Sequence, residues 1–155
     1  MHTSYPEKIL AEFCRILKPG SKTCVMVYSR PSIWFDLYTA YEQMIVRNVF
    51  AGLAVEQAFS MNTDGSDCPM ARCYPTQEFV DLCKAAGFEC QFAGGYLTET
   101  EIISLRRYLK PALDDNRLKE SHKQFLRALS YDDRGLPKYA GHYAGVSGVY
   151  HLHKR

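Results

Sequence analysis

Apolar positions recur along the chain at two periods, and the alternation between them predicts an α/β protein. Leu10, Phe13, Cys14 and Leu17 fall at i, i+3, i+4 and i+7, which predicts a helix from about Tyr5 to Lys18. Ser4 with Glu7 fits a capping box, and Lys18-Pro19-Gly20 supplies a stop. Thr23 to Tyr28 is nearly unbroken apolar sequence, which suits a strand covered on both faces. Trp34, Leu37, Tyr38, Tyr41, Met44 and Ile45 return to helical spacing between Ser32 and Phe50. Ser60 to Pro75 is polar and rich in turn formers, so it reads as an exposed loop turning at Asp64-Gly65. A helix follows from Thr76 to Ala86 with Gly87 at its C-terminal cap, and Phe88, Cys90 and Phe92 alternate with polar residues as a half-buried strand. Thr98 with Glu101 caps the next helix, which should end before Pro111. Leu118, His122, Phe125, Leu126 and Leu129 form one more stripe, and Val149 to His153 reads as a terminal strand.

At 155 residues the chain is long enough to bury one core, and one core in a single domain spanning 1–155 is expected. Lys and Arg number 19 against 17 Asp and Glu, too balanced to suggest a nucleic-acid partner. No apolar run approaches the roughly 20 residues needed to cross a bilayer, so no membrane partner is expected and the cytoplasm is the expected location. Cys14, Cys24, Cys83 and Cys90 lie in segments that read as buried, where cysteine acts as a small hydrophobe, so free thiols are expected. Cys68 and Cys73 lack zinc-site spacing, and His151 and His153, on one face of the last strand, have no third ligand beside them. No metal is expected. Nucleophilic hydrolysis fares poorly, since no G-x-S-x-G elbow is present and the cysteines and histidines show no local catalytic signature.

The run from Ile9 to Ser21, with Arg15-Ile16-Leu17-Lys18-Pro19-Gly20 before a strand, resembles the helix and "R-x-L-K-P-G-G" turn ahead of the fifth strand of class I S-adenosylmethionine-dependent methyltransferases. It departs once, with Ser21 for the second glycine. Tyr74 to Phe79 followed by Ala86-Gly87-Phe88 is similar to that family's next helix and its "A-G-F" turn, and Gly148 to Lys154 to its seventh strand, inserted antiparallel. Even Met1-His2-Thr3-Ser4 is similar to the stretch after the family's fourth strand. The resemblance implies a partial Rossmann-like methyltransferase sheet, strands five, seven and six, with flanking helices.

Such enzymes hold S-adenosylmethionine with a Gly-rich turn after the first strand and acidic residues after later ones, and no such turn stands in this sequence. Gly94-Gly95, Gly141, Gly145 and Gly148 lack the required spacing. The resemblance therefore implies a truncated, substrate-side half that binds no cofactor alone. Its substrate-binding candidates are His2, Tyr28, Arg30, Arg72 and Tyr74. His2 follows the fourth-strand position; Tyr28 and Arg30 end the buried strand, where ligands gather in open α/β sheets; Arg72 and Tyr74 precede the third helix. The alternative is that Tyr28 and Tyr74 pack while the arginines meet solvent. No catalytic residue is assigned. A strand deprived of its family neighbour exposes an apolar edge, which implies a homodimer or a complementary N-terminal half. A non-catalytic module that binds itself or another protein, by that edge or by the aromatic helix from Ser32 to Phe50, is the competing expectation.

Overall fold

The computed structural model describes residues 3–65, 67 and 71–155. It is an α/β structure, with a curled mixed sheet flanked by helices. In chain order the elements are α1 (Pro6–Ile16), β1 (Lys22–Arg30), α2 (Trp34–Val46), α3 (Val55–Asp64), β2 (Cys73–Pro75), α4 (Thr76–Ala85), β3 (Phe88–Tyr96), α5 (Glu99–Asp114), α6 (Glu120–Arg127), β4 (Ser130–Tyr131), β5 (Pro137–Tyr139), β6 (His142–Tyr143) and β7 (Ser147–Lys154). The main sheet has the order β2-β1-β7-β3, and β4, β5 and β6 form a small antiparallel one.

The last strand sits between the first and third. β7 runs antiparallel to β1, with Val25 opposite Tyr150, and antiparallel to β3, with Cys90 opposite Leu152. β2 is parallel to β1 but touches only its last three residues, Tyr28 to Arg30. Side chains alternate across the sheet as the pleat demands. Val27, Tyr150, Leu152 and Phe88 point to the face covered by α1 and α4, where they meet Leu10, Phe79 and Cys83. Cys24, Met26, His151, Glu89 and Gln91 point to the other face and are exposed. β1 is therefore covered on one face rather than two, and Cys24 is exposed rather than buried, because both helices that follow the sequence pattern dock on the same side. The described cysteines are free thiols.

A second core lies beyond the carboxyl end of β1, where α2 packs among α3, α5 and α6 around Ile33, Leu37, Tyr41, Leu105 and Phe125. α2 is wound as a π-helix: the Arg47 N–H donates to the Glu42 carbonyl five residues back. Its buried residues do not form a single stripe, since Phe35, Asp36, Leu37, Thr39 and Ala40 to Gln43 are all enclosed. A helix surrounded on most sides does not present the 3.6-residue stripe of a surface helix.

Several boundaries differ from the sequence pattern. The Ser4 side chain caps nothing in α1; instead Tyr5 N–H donates to Thr3 Oγ1. The expected loop from Ser60 to Pro75 is structured at both ends, since α3 runs on to Asp64 and Cys73–Pro75 is a strand. The cap at Thr98 and Glu101 forms as expected, but α5 passes through Pro111. Proline there forfeits one backbone bond, and the fully buried Ala112 holds the last turn in place.

Candidate functional site

β1 and β2 run parallel, and their carboxyl ends open on a cleft of about 480 Å3. Arg30, the last residue of β1, sends its guanidinium to Glu56 Oε1 at 3.2 Å, and its central carbon lies 4.4 Å from the Phe35 ring centre. Across the cleft Arg72, just before β2, pairs with Glu78 and stacks over the Tyr74 ring at 4.8 Å. Glu56 and Glu78 each lie in the first turn of a helix, where the macrodipole favours an acid. Ser4 and Cys73 also line the cleft. Burial foremost pushes the Cys73 thiol up to about 11, so it stays protonated near neutrality and is no nucleophile.

Of the five candidate residues, Arg30 and Arg72 meet here. His2 lies outside the described residues. Tyr28 turns away from the cleft: its hydroxyl donates to Asp64 Oδ1 at 2.8 Å and its ring meets Phe59 edge-on. Tyr74 is fully buried with its ring 5.3 Å from Phe79, so it serves the core and only its face supports Arg72. The pleat directs Tyr74 into the core under α1 and α4, whereas Tyr28 stands on the opposite face of β1, half-buried against Phe59. Glu56 and Glu78 went unread in the sequence, and the only signal for them is their place in a first helical turn.

The sequence pattern also missed a buried polar layer behind the cleft. Asp36 Oδ1 lies 2.7 Å from His122 Nδ1, and Asp36 Oδ2 accepts from the Ser32 N–H at 3.2 Å. Burial raises the Asp36 carboxyl above its ordinary value, opposed by the hydrogen bond and charge of His122. Both side chains are closed off from solvent, so the pair joins α2 to α6 rather than serving a reaction. Glu101 is fully buried. Its Oε1 accepts from Trp34 N–H at 3.0 Å and Val146 N–H at 2.9 Å, and its Oε2 from the Thr98 N–H and hydroxyl. Desolvation outweighs these donors and lifts its carboxyl to about 7.

Among the described residues, no group of three or more His, Cys, Asp or Glu could hold a metal ion. His151 and His153 share the bare face of the sheet, where His153 Nδ1 lies 3.5 Å from Glu89 Oε2. No described helix is long and apolar enough to cross a membrane.

The fold and the cleft define an α/β protein with two arginine–carboxylate pairs, Arg30 at the carboxyl end of β1 and Arg72 just before β2, lining one cleft. Compared with protein-family models, with curated proteins and with solved structures, the chain matches none.

Proposed function

We propose that the chain is the substrate-side portion of a class I S-adenosylmethionine-dependent methyltransferase, inactive in methyl transfer by itself. The observation that carries this reading is the placement of β7, antiparallel between β1 and β3. That is the arrangement the sequence resemblance implies for strands five, seven and six of a Rossmann-like sheet. The cleft lies at the strand ends where open α/β sheets receive ligands. Its arginines each spend part of their donor set on a carboxylate and keep N–H groups for an anionic group of a substrate. Positioning of the acceptor would be this portion's contribution to catalysis.

The test is titration calorimetry of the full chain with S-adenosylmethionine, alone and after addition of whatever the coding sequence upstream encodes. No heat with the chain alone, and micromolar binding plus methyl transfer with a Gly-rich upstream segment, is the expected result. Arg30→Ala or Arg72→Ala should then raise the KM for the acceptor. Micromolar binding by the chain alone, or an upstream sequence without such a turn, sinks the proposal.

A second reading, a self-associating module, is favoured by the open edge of β1. The aromatic helix offers no surface for it, because Phe35, Leu37 and Tyr41 are buried.

A further inference from the structure

β7 occupies one side of β1 along Lys22 to Tyr28, whereas β2 occupies the other side only from Tyr28 to Arg30. Among the described residues no strand pairs with the outer edge from Lys22 to Val27, which leaves a row of backbone donors and acceptors unpaired. An apolar groove of about 550 Å3 runs beside this edge, between it and α1. Phe13, Ile16 and Met26 line it with 36%, 63% and 54% of their surface exposed. Solitary edges are ordinarily blunted by bulges, prolines or charge, and here Lys22 at one end is the only such device.

We infer that a second copy of this chain pairs with that edge, antiparallel, about a two-fold axis passing through Cys24. This rests on the self-association reading and concerns the chain by itself, since an N-terminal half of the methyltransferase reading would pair with the same edge. A two-fold perpendicular to the sheet makes neighbouring edges antiparallel and keeps both α1 helices on the same face. Phe13 and Ile16 of each copy then cover the seam. Lys22 is the only charged residue on the edge and falls opposite Met26, so no like charges meet. A specific interface buries ~1,000 Å2 or more, so the edge backbone and the exposed Phe13, Ile16 and Met26 of both copies must be covered together.

The register follows from the ladder. Successive residue pairs of an antiparallel ladder alternate between hydrogen-bonded and non-bonded. Two-fold symmetry about a point between residues would make two adjacent pairs equivalent, which the alternation forbids, so one residue must face its own copy. With Cys24 on the axis, Thr23 faces Val25, Lys22 faces Met26 and Ser21 faces Val27, and the ladder stops where β2 begins. With Val25 on the axis the ladder is shorter. A self-paired residue has a Cα separation of ~4.5 to 5.5 Å, within the ~4.4 to 6.8 Å that a disulfide spans. Cys24 is exposed, so the two thiols lie on the same open face.

The test uses the full chain. Sedimentation equilibrium should show a dimer, and diamide should join two copies covalently as it takes up the two thiol hydrogens and is reduced to the hydrazine. Cys24→Ser should abolish the covalent product and keep the dimer. Cys24→Lys, on an exposed position where the change should leave the far-UV spectrum intact, sets like charges on the axis and should weaken association by about fivefold. A monomer at high micromolar concentration overturns the inference, as does a dimer that Cys24→Lys leaves intact or a covalent product that persists in Cys24→Ser. Each of these outcomes leaves the S-adenosylmethionine titration to stand or fall separately.

Discussion

Replacing Glu101 with Ala should destabilise the protein more than any other single truncation of a polar side chain. The carboxylate satisfies backbone N–H groups from three segments: Trp34 at the start of α2, Val146 just before β7, and Thr98 at its own helix cap. Alanine leaves those three donors without it, at ~1 to 3 kcal/mol each when buried. Release of the carboxyl's own burial cost offsets part of this. With the pKa raised from 4.5 to about 7, the ionised form is disfavoured by about 3 kcal/mol net of its hydrogen bonds, a cost felt fully only above pH 7. The net loss near pH 6 should be ~4 kcal/mol, a large part of the ~5 to 15 kcal/mol of a whole domain. Glu101→Gln should lose less, because an amide can accept on one side only and sets its N–H2 against donors on the other. The sign of the pH effect follows from the raised pKa. The folded state holds the Glu101 proton more tightly, so its contribution is fully present below about pH 4.5 and is lost as pH rises through 7. Glu101→Gln should flatten that slope. Urea unfolding followed by far-UV circular dichroism between pH 4.5 and 8 measures both effects. An alanine variant within ~1 kcal/mol of the parent, or an identical pH slope in the glutamine variant, refutes the clamp.

Other outcomes follow from the same geometry. Gly145→Ala would place a methyl 2.0 Å from the Tyr96 carbonyl oxygen. It should cost ~3 kcal/mol or more in thermal unfolding, against ~1 kcal/mol for Gly135→Ala, which meets nothing within 4 Å but must hold a φ of +75°. His122→Ala strips Asp36 of its partner inside the core, and urea unfolding should show a loss of ~3 kcal/mol. A loss under ~0.5 kcal/mol would mean the pair holds nothing together. In timed alkylation read by mass spectrometry, Cys24 should react first, and Cys73 and Cys83 should lag, because burial raises the Cys73 thiol and a hydrogen bond with Cys90, together with burial, raises that of Cys83. Equal rates would contradict the placement of β1's open face.

What could be read in the sequence was local. The stripe of α1, the alternation of β3 and the cap at Thr98 each depend on residues within a turn or two. α3 was missed because only Ala58 and Phe59 are buried in it, too few to show a period amid polar residues. Glu101 was legible as a helix cap, but its reach to Trp34 and Val146 crosses 67 and 45 residues. Asp36 and His122 are 86 apart, and nothing near either announces the other. The cleft was half legible. A strand end pointed to Arg30 and the family resemblance to Arg72, while the glutamates that hold them came from helices whose starts depend on the packed core.

The position of β7 governs the order of events during synthesis. Val25 waits for Tyr150, and Cys90 for Leu152, so neither β1 nor β3 can complete its ladder until Ser147–Lys154 has left the ribosome. The helices can form early, but the sheet has a gap at its centre until then. Such long-range pairing slows folding and prolongs the time that apolar strands stand open to the wrong neighbour. The nascent chain's dependence on chaperones should therefore track the delay before its final strand emerges.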